Sequence, residues 1–331
     1  MRLVRRPPKR AIDMTNHVSA PGISCALVTG GAGFIGSHVV DTLLEHGVRV
    51  RVVDNLSTGR RAQVAADAEF IEADIRDPGS FYGAFKGVDC VFHVAALARV
   101  PLSIEKPVET DLVNVIGTLN VLIAARDAGV RRFIFSGSSS VYGEQPTMPL
   151  REDMKPNPMN PYALQKLAAE LYTRIFNQLY GLETITLRYF NVFGPRMILD
   201  GAYPTVIGVF LRARRNGMPM TVCGDGEQTR DFTFVSDVAR ANLLAARCDN
   251  ADGRAINIGQ GRGVSVNRIA ELIGGEKVHI SARPGEPRDT LADLSQAESI
   301  LGWRPQVSTE EGLDQLIRVA ALNDQNTKTS I

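Results

Sequence analysis

The feature of this sequence that most restricts its fold is a glycine-rich stretch, TGGAGFIG at residues 29–36, whose glycines are spaced G-x-x-G-x-x-G. The apolar run CALVTG leads into it and the amphipathic stretch FIGSHVVDTLLEHG follows, so the pattern predicts a strand, a tight turn and a helix. In such a unit Gly30 permits the turn, Gly33 lets the backbone approach a pyrophosphate, and Gly36 allows the helix to pack closely on the strand. The stretch therefore predicts a dinucleotide-binding turn.

An acidic residue at the end of the next predicted strand supports that interpretation. Asp54 closes the run VRVRVVD, where a carboxylate accepts hydrogen bonds from an adenosine ribose and repels a 2′-phosphate. The sequence therefore predicts NAD rather than NADP, although Arg60 and Arg61 nearby favour the phosphorylated cofactor. Asp74 closes the following strand and is expected near the adenine, an interpretation that competes with an ordinary surface turn.

The order of strand-like and helix-like stretches predicts the fold class. From Cys25 onward they alternate, which is typical of an α/β protein with a doubly wound parallel sheet of the Rossmann type. Later, loops and glycines become more frequent, but FVSDVARANLLAA and RAINIGQG resemble a helix and a strand returning to the main sheet. We therefore predict an NAD-binding Rossmann domain of residues 25–190 plus 233–260. A smaller, interleaved C-terminal α/β domain of residues 191–232 plus 261–320 is expected to bind the substrate.

The charge of the chain argues against nucleic acid as a partner. Lys and Arg total 37 and Asp and Glu total 36, a formal net charge of +1. The first ten residues hold five cations and no acid, so the rest of the chain is mildly acidic. Residues 1–24 lack the apolar core of a secretory signal. We interpret them as a basic, disordered tail.

Other features predict a cytoplasmic protein with no membrane span and no metal centre. No apolar run approaches the roughly 18 residues that a transmembrane helix needs. The four cysteines lie far apart without C-x-x-C spacing, which is typical of buried, reduced thiols. The histidines are scattered, and we interpret His93 as a hydrogen-bonded core residue rather than a ligand.

A tyrosine and a lysine at helical spacing form the first candidate catalytic pair. Asn160 and Pro161 predict the start of a helix, which places Tyr162 and Lys166 on one face, one turn apart. An ammonium beside a phenol lowers the phenol's pKa from about 10 towards neutrality, which makes Tyr162 usable as a general base or acid. A surface tyrosine beside a solvated lysine is the competing interpretation. We interpret the apolar positions of this helix as core: Leu164, Leu167, Ala168, Leu171, Ile175 and Leu179.

A serine cluster, SGSSS at residues 136–140, stands at the carboxyl end of another predicted strand. Hydroxyl groups at that edge of the sheet can bind an alcohol of a substrate, although a serine loop without function explains them equally well. In combination with the dinucleotide turn and the Tyr–Lys pair, the cluster favours an active site.

Several longer motifs resemble those of the extended short-chain dehydrogenase/reductase family over residues 25–320. Within that family the chain is most similar to the nucleotide-sugar 4-epimerases. The matching strings, in chain order, are TGGAGFIGSH, VDNLSTG, VFHVAA, NVIGTLNVL, FSGSSSVYG, PYALQK, LRYFNVFGPR, GDGEQTRDF and RPGEPRDTLAD. This series is specific for the family and less specific for the sugar.

The resemblance implies a role for each matching position. Tyr162 corresponds to the catalytic base, Lys166 to its electrostatic partner and nicotinamide-ribose ligand, and Ser138 to the hydroxyl that binds the sugar's 4-OH. The other positions that correspond to NAD contacts are Gly30, Gly33, Phe34, Ile35, Asp54, Asn55, Asp74, Ala95 and Asn114. The other positions that correspond to substrate contacts are Ser139, Ser140, Asn191, Arg230, Arg283 and Thr290.

The reaction implied by the resemblance is NAD-dependent 4-epimerisation of a UDP-sugar. Tyr162 removes the proton of the 4-OH while the C4 hydride passes to NAD, the 4-keto sugar turns over, and the hydride returns to the opposite face. The resemblance also implies a homodimer formed by helices at residues 111–128 and 161–180.

Single positions discriminate among substrates and related reactions. Dehydratases of the family carry an Asp-Glu pair where Ser139 and Ser140 stand, and UDP-glucuronate decarboxylases carry a Glu at the second position, so both are disfavoured. Thr290 replaces a bulky tyrosine typical of hexose-restricted 4-epimerases and leaves room for a 2-acetamido group. The string GAY at residues 201–203 also resembles the branch that uses N-acetylhexosamines. We therefore rank UDP-GlcNAc/UDP-GalNAc first among the substrates, with UDP-Glc/UDP-Gal also accepted. A UDP-glucuronate 4-epimerase that uses Arg196 for the carboxylate, and a non-catalytic NAD-sensing scaffold, stay open as alternatives.

Overall fold

A computed structural model of the chain describes residues 22–198, 205–281 and 287–328, and residues 1–21 of the predicted tail lie outside them. The strands are β1 (Cys25–Thr29), β2 (Arg49–Asp54), β3 (Glu69–Glu72), β4 (Cys90–His93), β5 (Arg132–Ser138), β6 (Glu183–Tyr189), β7 (Val192–Phe193), β8 (Met220–Cys223), β9 (Thr229–Asp231), β10 (Thr233–Phe234), β11 (Asp252–Ile258), β12 (Gly263–Ser265) and β13 (Lys277–Ile280). The helices are α1 (Phe34–Glu45), α2 (Pro78–Phe81), α3 (Val100–Glu105), α4 (Pro107–Asp111), α5 (Thr118–Asp127), α6 (Pro161–Tyr180), α7 (Val206–Arg215), α8 (Val235–Arg247), α9 (Val266–Ile273), α10 (Ser295–Leu301) and α11 (Thr309–Lys328). Other helical turns are Arg61–Gln63, Tyr82–Phe85 and Ser139–Tyr142, and a π-helical segment at Leu112–Gly117 joins α4 to α5.

Seven of the strands form one parallel sheet in the order β11-β6-β5-β4-β1-β2-β3. The order reverses at β1, where Val28 is paired with Val52 on one side and with Phe92 on the other. Such a reversal opens a crevice beyond the carboxyl ends of the strands. The predicted doubly wound α/β fold of the Rossmann type is confirmed.

Helices cover both faces of this sheet, which explains why its strands are almost continuously apolar. Alternate residues of β1 point to opposite faces, so Val28 packs in one core with α1 and α8, while Leu27 packs in the other with α5 and α6. Both residues are fully buried. The layers hold the carboxyl ends of β1, β4 and β5 at one edge of the molecule.

A separate hydrophobic core lies beyond β6. Phe193 packs against Phe232 and Phe234, with ring centroids 6.3 and 5.5 Å apart. The elements that build this core are β7, α7, β8, β10, β12, α9 and the start of α11. Between them, α8 and β11 return to the main sheet. The division into two interleaved domains at residues 190/191, 232/233 and 260/261 stays a proposal, since Phe234 packs in the second core and Trp303 packs in the core of the main sheet.

Helix α6 buries a different face from the one that we predicted. Four of its predicted core positions are exposed, namely Leu164, Leu171, Ile175 and Leu179. Its buried positions are Ala163, Gln165, Lys166, Ala169, Glu170, Thr173 and Phe176. The prediction of an apolar core stripe is therefore wrong, because polar side chains on the opposite face find partners inside the protein. Glu170, for example, lies 2.6 Å from the guanidinium of Arg188.

The helical stretch Pro107–Asp127, which runs through α4, the π-helical segment and α5, also exposes apolar side chains. By length and composition alone it could cross a membrane, contrary to our expectation that no stretch would. In the structure, 44% of its apolar window is buried, and Val121 and Leu122 pack in the core against the sheet. The apolar side chains that this face exposes, together with one on α3, are Ile104, Val108, Leu112 and Ile116. A helix that packs on the sheet of a soluble protein can be equally long and apolar, so this stretch is weak evidence for a membrane span.

The cysteines and His93 were predicted to be core residues without a ligand. All four cysteines are free, Cys25 and Cys90 are buried, and Cys223 and Cys248 are half-buried. His93 is buried, and its two ring nitrogens lie 2.7 and 2.9 Å from the hydroxyls of Thr29 and Thr118. Burial, with a smaller contribution from Lys166, lowers the pKa of His93 to about 3, so the ring is neutral. The interpretation of His93 as a satisfied core residue is confirmed.

Candidate active site

A cavity of about 1040 Å³ lies at the carboxyl edge of the sheet and reaches into the second core. The predicted residues that line it are Gly30, Gly33, Phe34, Ile35, Asp54, Asn55, Asp74, Ala95, Ser138, Ser139, Ser140, Tyr162, Asn191, Arg230 and Thr290. Arg283 and the string at 201–203 lie outside the described residues. Lys166 and Asn114 are described and do not line the cavity.

The glycine turn forms the wall of the cavity at the start of α1. Gly30 has a φ of 72°, and a Cβ there would lie 2.6 Å from the backbone nitrogen of Ala95. A Cβ on Gly36 would lie 2.8 Å from the carbonyl carbon of Gly30, whereas one on Gly33 would meet only the Gly30 oxygen, at 3.2 Å. A side chain therefore has no room at Gly30 or Gly36. At Gly33 the backbone is open, so a pyrophosphate can approach the helix N-terminus there.

Asp54 fits the binding of a ribose. Its two carboxylate oxygens accept the backbone N–H groups of Ala32 and Leu56 at 3.0 and 2.8 Å. Burial raises the pKa of Asp54, and these two hydrogen bonds oppose that effect. The carboxylate lines the cavity, but Arg60 and Arg61 do not. The guanidinium of Arg61 instead lies 4.6 Å from the ring centroid of Phe70. This arrangement favours an unphosphorylated ribose, as in NAD.

Asp74 occupies the end of the cavity next to Asp54. Arg76 donates to both of its carboxylate oxygens, and the side-chain amide of Asn55 donates to one of them at 2.8 Å. The hydrogen bonds from Arg76, with a smaller one from Asn55, lower the pKa of Asp74 to about 2. Asp74 and Asn55 are therefore a fixed polar pair in the cavity wall, where they are predicted to contact the adenosine.

Asn114 supports the cavity wall from behind. Its amide accepts the N–H of Leu97 at 2.8 Å and donates to the carbonyl of Leu97 at 3.1 Å. The same amide donates to Gln165 at 2.9 Å, and Gln165 donates to the hydroxyl of Thr110. In the structure Asn114 is thus a positioning residue for the segment after Ala95. Asn114 does not line the cavity, and its direct contact with NAD stays a prediction.

The serine cluster lies at the carboxyl end of β5. The hydroxyl of Ser140 donates to the hydroxyl oxygen of Ser138 at 2.8 Å, and the N–H of Ser140 lies 3.2 Å from the same oxygen. Ser138 and Tyr162 line the same cavity, and Ser138 opposes the rise that burial causes in the pKa of Tyr162. Ser138 therefore stands at the centre of a small hydroxyl network in the cavity wall, with Ser139 beside it.

Tyr162 is held at the first turn of α6 by two neighbours. The side chain of Asn160 accepts the N–H of Ala163 at 3.0 Å, and the hydroxyl of Ser103 accepts the N–H of Tyr162 at 3.1 Å. Both donors belong to a helix N-terminus, where backbone N–H groups have no partner within the helix. These bonds fix the backbone at Tyr162, whose side chain lines the cavity.

The electrostatics around Tyr162 differ from our prediction of a pKa lowered by Lys166. Burial raises the pKa of Tyr162, and the hydrogen bond with Ser138 and the charge of Arg99 oppose that rise. Lys166 is buried, and its ammonium donates to the carbonyl of Ser136 at 2.9 Å. Burial also lowers the pKa of Lys166 to about 8. The predicted direction for Tyr162 is therefore wrong in this structure, because desolvation of the phenol outweighs the charges around it.

The second core supplies the other end of the cavity. Thr290 is buried, and its hydroxyl lies 3.3 Å from the N–H of Asp231 and 3.5 Å from the amide of Asn191. Arg230 donates to the carbonyls of Thr229 and Arg288, each at 2.9 Å. These contacts place an amide, a hydroxyl and a guanidinium in one wall. Their arrangement suits a phosphorylated ligand, because a guanidinium forms charge-assisted hydrogen bonds with phosphate oxygens.

Asp231 holds that wall together, although our sequence analysis did not identify it. Its buried carboxylate accepts the backbone N–H groups of Gln260, Gly261 and Ala292 at 2.5, 2.9 and 3.0 Å. Burial raises the pKa of Asp231 to about 6, and these three hydrogen bonds oppose the rise. The carboxylate ties β9 to the end of β11 and to the segment that carries Thr290.

Several other residues of the site were missed. Arg99 and Arg288 line the cavity, whereas Ser103 and Gln165 act from behind its wall. A cation in a loop between predicted elements could have been noted from the sequence. The roles of Ser103 and Gln165 depend on contacts between distant segments, so local spacing gives no indication of them.

Comparisons with known proteins agree with this geometry. The sequence profile described as the NAD dependent epimerase/dehydratase family matches residues 26–259. A UDP-glucose 4-epimerase of Mycolicibacterium smegmatis is 37% identical over 305 residues, covering 88% of this chain and 96% of that protein. The crystal structure of a UDP-glucose 4-epimerase of Thermotoga maritima with UDP-glucose is similar, with a TM-score of 0.87 and 39% identity over 90% of this chain and 99% of that one. The structure of a UDP-N-acetylglucosamine 4-epimerase of Methanobrevibacter ruminantium in complex with UDP-N-acetylmuramic acid is also similar, with a TM-score of 0.85 and 38% identity over 89% of this chain and 97% of that one.

Proposed function

This chain belongs to the NAD-dependent epimerase/dehydratase family, and on that premise we propose that it is an NAD-dependent UDP-sugar 4-epimerase whose Tyr162 moves the proton of the sugar's 4-OH. The observation that carries the proposal is one cavity that brings together Gly33, Asp54, Ser138 and Tyr162. A dinucleotide at the glycine turn and a sugar at the serine cluster can both be held there.

The residues of the chain divide the reaction among them. When bound, NAD would supply the acceptor, and then the donor, of the C4 hydride. Tyr162, as the phenolate, would accept the proton of the 4-OH and give it back after the 4-keto sugar has turned over. Ser138, which lines the same cavity, would orient that hydroxyl. The overall reaction has no net oxidation, so no external oxidant or reductant is consumed.

The cofactor is proposed to lie along the carboxyl ends of β1 and β4. Gly33 and the start of α1 would hold its pyrophosphate, Asp54 the adenosine ribose, and Asp74 with Asn55 the adenine side. The segment that begins at Ala95, supported from behind by Asn114, would face the nicotinamide. Lys166 is one turn from Tyr162 and is proposed to contact the nicotinamide ribose, since its ammonium has two N–H donors besides the one that it gives to the carbonyl of Ser136.

We rank UDP-GlcNAc and UDP-GalNAc first among the substrates, with UDP-Glc and UDP-Gal also accepted. The support is Thr290, a small residue in the cavity wall opposite the glycine turn. Pocket size predicts tolerance better than preference, since an extra methylene or similar group changes selectivity by only about 1–3 kcal/mol. Asn191, Arg230 and Arg283 are proposed to hold the nucleoside diphosphate.

The positions of Arg196 and of the serine turn weigh against two of the competing functions. Arg196, the candidate ligand for a glucuronate carboxylate, lies 2.7 Å from Asp41 on α1 and does not line the cavity among the described residues. The serine turn that replaces the acidic pair of the dehydratases carries no carboxylate, so an elimination has no proton donor at Ser139 or Ser140.

We further propose a cytoplasmic homodimer. The exposed apolar residues of α6 and of the stretch through α4 and the π-helical segment lie on neighbouring helices, since α4 contacts α6. Val108 and Leu179, exposed by 72% and 69%, are the most exposed apolar side chains of this face. Exposed apolar side chains on neighbouring helices are typical of a protein–protein interface. The four free thiols suit a reducing compartment.

An activity panel with no added cofactor tests the proposal. Purified protein is incubated with UDP-GlcNAc, UDP-GalNAc, UDP-Glc, UDP-Gal or UDP-glucuronate, and the products are separated by chromatography. We expect bound NAD in the protein and interconversion of the N-acetylated pair. Tyr162→Phe should lower turnover by at least about 100-fold, the usual contribution of a general acid–base, and leave the NAD content unchanged. An active Tyr162→Phe variant, or a protein that converts none of the five sugars, contradicts the proposal.

A further inference from the structure

A buried arginine, Arg188 on β6, joins the helix that carries Tyr162 to the turn that carries the serine cluster. Its side chain is 5% exposed, and that of Glu170 on α6 is 11% exposed. The guanidinium donates from Nε and Nη2 to the two carboxylate oxygens of Glu170, at 3.0 and 2.6 Å. Its other terminal nitrogen, Nη1, donates to the phenol oxygen of Tyr142 at 2.7 Å. One planar group therefore holds a helix and a turn at a fixed separation.

Glu170 continues the face of α6 on which the candidate catalytic pair lies. It follows Lys166 by four residues and Tyr162 by eight, and residues four apart lie one above the other on a helix. A bidentate pair with a guanidinium fixes both the distance and the orientation of the carboxylate. The contact with Arg188 therefore limits any sliding or rotation of the helix face that presents Tyr162 to the cavity.

Tyr142 anchors the far end of the serine cluster. It is the last residue of the helical turn Ser139–Tyr142, the serine turn, which follows Ser138 directly. The side chain is completely buried, and its phenol donates to the amide oxygen of Asn257 on β11 at 2.7 Å while it accepts from Arg188. Burial raises the pKa of Tyr142 to about 12, so the phenol keeps the proton that it donates. The serine turn is thus held at its start by β5 and at its end by Tyr142.

Another buried arginine of the same sheet provides a comparison. Arg132, at the start of β5, has a side chain that is 3% exposed and lies 2.8 Å from the carboxylate of Glu183. Its Nη1 donates to three carbonyls at the end of α8, the nearest of them that of Cys248 at 2.6 Å. None of these partners lines the cavity, because β5 and β6 begin at the opposite edge of the sheet. Arg132 is thus as buried and as well paired as Arg188, but it joins no element of the site.

We propose that Arg188 is a positioning residue, which links α6 to the serine turn and so fixes the phenol of Tyr162 relative to the hydroxyl of Ser138. The inference rests on the proposed function, because this geometry affects turnover only if both groups act on the same sugar hydroxyl. Arg188 does not line the cavity, so it acts through these two residues and exchanges no proton. Misplacement of a reacting group by about 1 Å can lower a rate by on the order of 100-fold, even when its cause lies away from the chemistry.

Replacement of Arg188 by lysine breaks the link without leaving a buried carboxylate unpaired. A lysine can pair with Glu170, but it lacks the planar fork that binds Glu170 and Tyr142 together. For the best UDP-sugar of the activity panel, we expect Arg188→Lys to lower kcat by about 10- to 100-fold, with the KM and the NAD content unchanged. Arg132→Lys is the matched control and should keep the native kcat.

Two further variants separate positioning from stability. Arg188→Met combined with Glu170→Met removes both charges, a change that often leaves the stability of a protein with a buried ion pair intact. This double variant should melt near the native temperature and still lose as much kcat as Arg188→Lys. Tyr142→Phe keeps the pair of Arg188 with Glu170 and removes only the contact with the serine turn, so kcat should fall in that variant as well.

Hydrogen exchange followed by mass spectrometry gives a readout that needs no sugar. In the NAD-loaded protein, peptides that span the serine turn and the first turn of α6 are compared between the variants and the native protein. We expect exchange of these peptides to be faster in Arg188→Lys by about tenfold, the effect of one lost hydrogen bond to a charged group. In Arg132→Lys the same peptides should exchange at the native rate.

A native kcat in Arg188→Lys overturns the inference, and so does exchange of the serine turn that is no faster than in Arg132→Lys. If kcat falls equally in Arg132→Lys, the effect is one of stability alone and the inference is equally overturned. The two hypotheses fail separately, because the exchange measurement needs no substrate. If the native protein converts none of the UDP-sugars, the proposed function is refuted, and the exchange rates still decide whether Arg188 holds the serine turn in place.

Discussion

Replacement of Gly36 by alanine should disrupt the protein more than replacement of Gly33, three residues away. In Gly36→Ala, the new Cβ would overlap the carbonyl oxygen of Gly30, and it would lie 2.8 Å from the carbonyl carbon of Gly30 and 2.9 Å from the Cα of Gly31. Non-bonded carbons normally lie about 3.5–4.0 Å apart and the oxygen is closer still, so α1 has to withdraw by roughly 1 Å. All three neighbours are backbone atoms, which cannot rotate away.

The expected cost of Gly36→Ala follows from that overlap. Overpacking of a rigid site costs about 1–3 kcal/mol, and three backbone contacts place this variant near 3 kcal/mol. At about 2 °C per kcal/mol for a chain of this size, the melting temperature should fall by roughly 6 °C. Withdrawal of α1 also carries its N–H groups away from the pyrophosphate, so NAD should be lost.

Gly33→Ala is the matched control. Its Cβ would meet only the oxygen of Gly30, at 3.2 Å, so the melting temperature of the NAD-free protein should change little. The methyl group stands where the pyrophosphate has to approach, so this variant should lose NAD as well. Circular dichroism gives the melting temperature, and the absorbance of an acid extract gives the NAD content. A Gly36→Ala protein with normal stability and a full complement of NAD would refute this reasoning.

Three further predictions concern other parts of the molecule. Because burial lowers the pKa of Lys166 to about 8, the folded protein holds fewer protons than the unfolded chain above that pH. The free energy of unfolding relative to Lys166→Met should therefore rise by roughly 3 kcal/mol between about pH 8 and 10.5. If denaturant titrations give the same difference in free energy between the two proteins at every pH, Lys166 does not have this buried environment. Val108→Asp with Leu179→Lys should convert a dimer into a folded monomer in light scattering, whereas Met218→Asp, at an apolar residue exposed elsewhere, should not. Thr290→Tyr should reduce turnover of UDP-GlcNAc relative to UDP-Glc by at least about tenfold, since a difference of about 1–3 kcal/mol corresponds to roughly 10–200-fold. Equal losses of turnover for both sugars would show that Thr290 is not the reason for the substrate ranking.

The glycine turn could be predicted from the sequence because its requirements are local. A positive φ at Gly30 and the close approach of Gly36 are imposed by neighbours within a few residues. The alternation of strands and helices likewise predicted the parallel sheet, since each element carries its own periodicity. The carboxyl ends of those strands then had to meet at one edge.

The buried face of α6 could not be predicted in the same way. An apolar stripe normally marks the face that packs inward, but here Leu164 and Leu179 face outward and Gln165 and Glu170 face inward. The polar residues are buried because their partners, such as Arg188, come from distant segments. Periodicity alone does not distinguish a core from the surface of an assembly.

The environment of Tyr162 was also beyond sequence reasoning. The spacing to Lys166 was correct, but spacing does not say where an ammonium is directed, and the carbonyl of Ser136 binds it. Burial of the phenol, which raises the pKa of Tyr162, comes from segments that are distant in the chain. Ser103, which joins α3 to the first turn of α6, belongs to one of them.

The central claim is that one hydride leaves C4 of the sugar and returns to the same carbon within a single binding event. The most direct test uses UDP-GlcNAc carrying deuterium at C4, incubated with the protein in ordinary water without added NAD. Mass spectrometry and NMR of the UDP-GalNAc formed should then show the deuterium retained at C4 in essentially every molecule. Loss of the label to solvent, or product formed only when NAD is supplied in stoichiometric amounts, would contradict the account.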